Sequence, residues 1–196
     1  MLDSDAIGVL GGSFNPPHAG HRALVVYAMR RLEVARFRVL VSPQSPLKDA
    51  GDYTPLETRL EATRELFEGL PMVRVAPESD SSPAYAVNTI RRLVRRERKH
   101  RFVYVMGADA FAELHRWWRW REIVETIPIA VVSRPAHRLA PLNAPVARTY
   151  SRFRVREHDA GRLARMRAPA WCFLDGLNRR ESSTEIRAAR TPPQPA

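Results

Sequence analysis

Two histidines three residues apart stand where a strand pattern gives way to a helix pattern, in the stretch Gly11-Gly12-Ser13-Phe14-Asn15-Pro16-Pro17-His18-Ala19-Gly20-His21. A turn needs glycine and tolerates proline, but turning requires neither His18 nor His21. Gly11 and Gly12 have no Cβ, so a ligand can approach their backbone closely. Pro16 and Pro17 suit a chain entering a helix. The first N–H groups of that helix have no internal partners and carry partial positive charge, which makes an anion site. At i and i+3 the two imidazoles project from one face of that turn. Together they suit phosphate oxygens, where negative charge builds during phosphoryl transfer. A tight turn with two surface histidines is the competing account, and it fits an isolated His-x-x-His better, because short motifs match by chance. The whole string, with a strand before it and a helix after it, favours chemistry. It is neither the dinucleotide fingerprint GxGxxG nor a Walker loop, since the GK[ST] ending is missing.

The elements that would carry this turn follow from hydrophobic periodicity. Short apolar runs at Ile7–Leu10, Phe37–Val41, Met72–Ala76, Phe102–Met106, Ile129–Val132 and Trp171–Leu174 read as strands. Several are valine-rich without strict alternation, as expected of parallel strands covered on both faces. Helix-period stretches lie between them at Ala19–Leu32, Pro55–Leu70, Ala84–Arg98 and Ala108–Glu125, the last broken near Trp117. This βαβα rhythm predicts a three-layer α/β domain with a mostly parallel sheet, spanning residues 1–190. Right-handed crossovers then bring the strand ends to one edge, where such sheets bind ligands. Residues 134–169 are proline-rich and are given a loop followed by one or two short helices. Residues 191–196 (TPPQPA) read as a disordered tail.

Composition narrows the class. A chain of 196 residues with 44% hydrophobic and 27% charged residues suits one soluble globular domain. No apolar run approaches the roughly 20 residues that span a bilayer, and no secretory leader pattern opens the sequence. Cys172, the single cysteine, excludes an intrachain disulfide framework. The expected location is cytoplasmic, with no membrane partner. The net charge of +11 can attract nucleic acid, anionic membrane or phosphorylated small molecules. One dense basic run, Arg91–Arg101, lies where a helix gives way to a strand, and a solvated helix face accounts for it. Charge alone therefore does not make this a nucleic-acid binder.

The first string resembles the GGxFxPxHxGH element of bacterial nucleotidyltransferases, and specifically of the nicotinate-nucleotide adenylyltransferase family. That resemblance implies a Rossmann-like fold and the joining of nicotinate mononucleotide to the AMP of ATP, with release of pyrophosphate. It places His18 and His21 at the ATP phosphates and the Gly11, Gly12, Ser13 and Phe14 backbone against the nucleotides. Further elements are similar in order along the chain. Ser42-Pro43-Gln44-Ser45-Pro46-Leu47-Lys48 resembles the segment ending in a phosphate-binding lysine, so Lys48 joins the catalytic candidates. Arg59 falls where the family has an arginine in the next helix, which makes it a further site candidate. Residues 82–89 resemble PSYTxDT, which implies mononucleotide contacts at Tyr85, Ala86, Asn88 and Thr89, through a helix N-terminus facing the nicotinate carboxylate. Ala84 and Ala86 replace a common serine and threonine there, so a contact through backbone N–H survives and one through a hydroxyl does not.

Gly107-Ala108-Asp109 resembles the family's GxD, with Asp109 toward a ribose; as a residue, Asp109 also suits a cap for a helix beginning at Ala110. The stretch from Leu114 to Trp120 is similar to LxxWxxW. By position Trp117 would stack on the pyridine ring and the Trp118 backbone would lie near the carboxylate, while Trp120 reads as core. Arg134-Pro135 fits the family's RP step, with Arg134 toward ATP. Ser182-Ser183-Thr184-Glu185-Ile186-Arg187 resembles ISSTxIR; its residues alone give a capping box and a helix start. The resemblance adds that Ser183, Thr184 and the Arg187 guanidinium cradle the outer phosphates. Glu181 stands where an aliphatic residue is usual, and many members continue with a further helical segment.

The implied reaction is direct in-line attack of the mononucleotide phosphate on the α-phosphorus of ATP, with no covalent enzyme intermediate and no strong base. No carboxylate cluster is dense enough for an all-protein metal cage, so Mg²⁺ is expected to ride on ATP and water. The implied partners are ATP and nicotinate mononucleotide, with no nucleic acid; a homo-oligomer stays open. Within the class, the rivals are a nicotinamide mononucleotide or pantetheine-phosphate acceptor. From another class comes a basic nucleic-acid-binding protein built on Arg91–Arg101, which explains neither His18 and His21 nor the terminal serines.

Overall fold

The computed structural model describes residues 3–43, 54–78, 85–133 and 140–176. Seven strands form a single sheet: β1 (Asp3–Gly12), β2 (Val34–Val41), β3 (Val73–Pro77), β4 (Arg101–Gly107), β5 (Ile129–Val132), β6 (Arg154–Val155) and β7 (Trp171–Leu174). Their spatial order is β3-β2-β1-β4-β5-β7-β6, and every pair is parallel. The helices are α1 (Ala19–Arg31), α2 (Leu56–Leu66), α3 (Ala86–Arg96), α4 (Ala108–Glu113), α5 (Trp120–Thr126) and α6 (Pro145–Thr149).

The chain winds outward from β1 through β2 to β3, then returns through α3 to lay β4 on the other side of β1. Register pairs Gly8 with Val103 and Leu10 with Val105 across that return, and Gly12 with Val41 across the outward step. The loops leaving β1 and β4 therefore run in opposite directions, opening a crevice at their carboxyl ends.

Two apolar clusters cover the sheet faces. Leu10, Leu24, Val25, Phe37, Val39 and Val105 pack on the face under α1 and α2. Ile7, Val9, Ile90, Phe102, Tyr104 and Phe111 pack on the face under α3 and α4. All four residues of both β5 and β7 are buried. Strands covered on both sides need apolar residues at every position, so these runs do not alternate.

The expected three-layer parallel architecture is the one found. Shifts occur where tertiary context overrules local pattern. The second helix stops at Leu66 rather than Leu70, followed by a turn through Gly69 with φ of 76°. The third strand runs one residue later than expected, to Pro77; β3 is an edge strand, where a missing N–H is tolerated. The helical stretch from Ala108 breaks as expected near Trp117, through a 3₁₀ turn at Leu114–Arg116 and a left-handed Arg119 with φ of 54°. The one or two short helices expected within residues 134–169 are found as α6 and the 3₁₀ segment Glu157–Arg165, whereas strand β6 had no sequence counterpart. A two-residue strand is too short to show any period.

Candidate functional site

Gly11 and Gly12 close β1 at the crevice, and Gly107 closes β4 beside them. Gly107 is the N-cap of α4, which starts at Ala108. Asp109 therefore lies inside the first turn, exposed, and is not the cap of a helix beginning at Ala110. Its charge there still complements the positive helix end.

Gly11 faces the α3 side of the sheet, where a Cβ on it would lie 2.7 Å from the Tyr104 hydroxyl. Only glycine lets that hydroxyl close over the β1 backbone. The chain then leaves the sheet through Phe14, whose φ is 47° and whose ring is buried.

His18 is the N-cap of α1, with extended φ −152° and ψ 165°, and His21 is the third residue of the helix. Pro16 and Pro17 thus precede the cap instead of occupying the first helical position. The His18 backbone N–H donates to His21 Nδ1 at 3.3 Å, and the His21 N–H donates to the His18 carbonyl at 2.9 Å. Because Nδ1 accepts, the proton of a neutral His21 ring sits on Nε2, leaving Nε2 as the donor. The two rings lie 3.8 Å apart, centroid to centroid, and Phe14 packs on His21 at 4.7 Å. This stack buries His18 to 7% exposure and fixes both imidazoles at the positive end of a 13-residue helix. Arg22 ties the same turn to the end of α2, donating to the Leu66 and Glu68 carbonyls at 2.6 and 2.9 Å.

On the other side of the crevice, Tyr85 is the N-cap of α3 and Ala86 its first residue. The Asn88 N–H donates to the Tyr85 carbonyl at 2.9 Å, and Thr89 is buried beneath. The Tyr85 ring stacks with Trp118 at 4.7 Å. Trp118 is 48% exposed, with the Arg119 guanidinium 5.6 Å from its ring centre. Trp117 is half-buried against the α3-side core. The open aromatic surface beside α3 therefore belongs to Trp118 and Tyr85. Trp120 packs edge-on to Tyr150 at 6.0 Å, as a core residue would.

Three buried polar groups near the site escaped the sequence reading in their roles. Glu78 follows β3 and is 6% exposed, its backbone N–H donating to the Val41 carbonyl at 2.7 Å. Burial pushes its carboxyl up from 4.5 to about 7, opposed by the Thr89 hydroxyl and by Arg92. The Tyr104 hydroxyl is also raised, by burial and then by Glu78. Arg59, expected near the ligand, is 2% exposed and directed at backbone carbonyls. A tyrosine inside an aliphatic strand and a glutamate just past an edge strand were the available signals.

At the ends of β5 and β7, the Ser133 hydroxyl donates to Asp175 Oδ1 at 2.6 Å, while the Tyr27 hydroxyl donates to the Asp175 carbonyl. Lys48, Arg134, Ser183, Thr184 and Arg187 lie outside the described residues, as do residues 82–84 and 191–196. The structure brings together Gly11, Gly12, Ser13, Phe14, His18 and His21 at one end of the crevice. Gly107 and Asp109 stand at the adjoining strand end, and Tyr85, Ala86, Asn88, Thr89 and Trp118 lie around the start of α3. Among the described residues no group of three His, Cys, Asp or Glu is arranged to hold a metal ion. No helix among them is long and apolar enough to cross a membrane.

Comparison with known proteins bears on the family and the fold. The sequence pattern of the Cytidylyltransferase-like family matches residues 9–189. A probable nicotinate-nucleotide adenylyltransferase of Bradyrhizobium sp. (strain ORS 278) is 47% identical over 182 residues, covering 92% of this chain and 94% of the relative. One from Rhizobium meliloti (strain 1021) is 44% identical, covering 95% and 99%. Among solved structures, a Plasmodium falciparum nicotinic acid mononucleotide adenylyltransferase complexed with NaAD superposes with a TM-score of 0.70. It covers 94% of this chain and 83% of its own at 13% identity, a likeness of fold.

Proposed function

This chain belongs to the Cytidylyltransferase-like family and, within it, to the nicotinate-nucleotide adenylyltransferases, and from that premise we propose that it joins ATP and nicotinate mononucleotide to give nicotinate adenine dinucleotide and pyrophosphate. The observation that carries the proposal is the stacked pair His18 and His21, held by reciprocal bonds at the start of α1, beside the Gly11–Phe14 backbone.

The mononucleotide phosphate is itself an ionised nucleophile at neutral pH, so the protein's task is placement and charge stabilisation. The α1 N-terminus and the His21 Nε2–H present positive potential toward phosphate oxygens as the bond from the α-phosphorus to pyrophosphate breaks. His18 caps the helix and packs on His21, which keeps both rings in one orientation. Lys48 and Arg187 add the positive charge that the departing pyrophosphate needs. Gly107 and Asp109 receive a ribose at the end of β4. The α3 N-terminus at Tyr85 and Ala86 receives the nicotinate carboxylate, and the Trp118–Tyr85 surface beside it offers a flat face to the pyridine. Mg²⁺ enters with ATP as part of the substrate. The net charge of +11 draws two anionic substrates to the same crevice.

The test is pyrophosphate release from MgATP with nicotinate mononucleotide, nicotinamide mononucleotide and pantetheine phosphate in turn. Turnover that strongly favours nicotinate mononucleotide is expected. Equal turnover of the two pyridine mononucleotides would defeat the substrate assignment, and no release with any acceptor would defeat the proposal.

A further inference from the structure

Arg59 does not face the crevice. It stands in the first half of α2, where its side chain spans two loops that approach the crevice from different strands. Its Nε donates to the Thr54 carbonyl at 2.8 Å. One terminal nitrogen, Nη1, donates to the Ser13 carbonyl at 2.5 Å and the Ser42 carbonyl at 2.8 Å. The other, Nη2, donates to the Pro43 carbonyl at 2.5 Å. A planar guanidinium has its N–H groups in a fixed fork, so four acceptors at these distances fix four peptide orientations at once. A lysine ammonium has neither the plane nor the reach to do the same.

Two further bonds tie the same loops. The Ser42 N–H donates to the Gly12 carbonyl at 2.8 Å, and the Thr54 N–H donates to Asn15 Oδ1 at 3.4 Å. The loop from β1 carries the histidines; the loop from β2 leads toward Lys48. Ser13–Phe14 is a trans peptide, and in a planar trans peptide the N–H points opposite the C=O. Holding the Ser13 carbonyl on Arg59 therefore turns the Phe14 N–H away from α2.

We infer that Arg59 is a positioning residue for phosphoryl transfer: without touching substrate, it locks the histidine loop after β1 to the loop after β2, so that the groups each loop carries keep one mutual geometry. This rests on the adenylyltransferase function proposed above. It also explains why a cation is buried beneath the site at all. A merely stabilising core position would be filled at lower cost by an apolar side chain.

The experiment compares Arg59→Lys and Arg59→Ala with the wild type in three measurements. The first is exchange of the Ser42 amide hydrogen, which needs no substrate. The second is kcat, set against the dissociation constants of MgATP and nicotinate mononucleotide. The third is recovery of activity by millimolar guanidinium in Arg59→Ala. A surface cavity of about 550 Å³ lined by Pro16, Pro17, Thr54, Thr58, Arg59 and Ala62 gives guanidinium a route in.

Arg59→Lys is expected to remain folded, to exchange the Ser42 amide about tenfold faster, and to lose about tenfold to a hundredfold in kcat with binding little changed. Guanidinium is expected to raise the activity of Arg59→Ala and not that of the wild type. Wild-type exchange and kcat in Arg59→Lys would overturn the inference and leave the proposed function standing. So would losses that match the fraction of unfolded protein with no guanidinium recovery. A wild type without turnover whose Ser42 amide still loosens in Arg59→Lys would overturn the proposed function and leave the loop lock standing.

Discussion

Replacing Glu78 with glutamine isolates one buried carboxyl and should change the pH dependence of stability in a calculable way. Burial raises the folded-state value from 4.5 to about 7. A carboxyl raised on folding holds its proton more tightly in the native state. Its favourable contribution is therefore complete below the unfolded value and is lost as pH rises through the folded one. A difference of roughly 2.5 units corresponds to about 3 kcal/mol over the whole range, and to about 2 kcal/mol between about pH 5 and pH 8. Glutamine keeps the shape and never ionises, so Glu78→Gln should nearly match the wild type at the acid end and exceed it by that amount at the alkaline end. Urea titration of both proteins at several pH values gives the difference directly, because every other titrating group cancels. For a chain of this size the alkaline gap corresponds to about 4–8 °C in Tm. A stability difference that stays constant with pH would refute the reasoning. So would a wild type that gains on the variant as pH rises, since that would mean Arg92 holds the carboxylate charged in the fold.

His18→Ala and His21→Ala should each lower kcat by about a hundredfold or more while the fold persists by circular dichroism; near-normal turnover in both removes the mechanism. His21→Ala should also cost about 1 kcal/mol of stability in urea titration, because the His18 N–H loses the ring nitrogen that caps it. Gly11→Ala must displace the Tyr104 hydroxyl, 2.7 Å from the new Cβ, and should destabilise by about 1–3 kcal/mol. Combining it with Tyr104→Phe should recover part of that loss, and a double-mutant cycle without coupling would show that the hydroxyl is not the obstacle.

The architecture was legible because its causes are local and periodic. Valine-rich runs without alternation are what a strand covered on both faces requires, and β5 and β7 are buried along their whole length. The break between α4 and α5 was visible near Trp117, although only the fold shows how it is made, with Arg119 in the left-handed region. Strand β6 was not visible, because two residues carry no period and its pairing with β7 is a long-range event.

The same division runs through the site. Sequence alone determined that a glycine turn leads into a helix bearing two histidines three apart, because turn chemistry and helical spacing depend on neighbouring residues. It did not determine that His18 would serve as the cap and lend its backbone N–H to His21, since the helix could have begun at the prolines. Nor did it determine what Arg59 does. An arginine in the sequence shows that a fork of donors exists, but its acceptors are backbone carbonyls, and every residue has one. Only the winding of the chain brought the Ser13, Ser42, Pro43 and Thr54 carbonyls within reach of one guanidinium. Only the tertiary fold, which brings Thr89 and Arg92 of α3 to Glu78, took that carboxyl out of water. Local pattern identifies groups able to do chemistry, and tertiary structure decides which of them meet substrate and which hold the others in place.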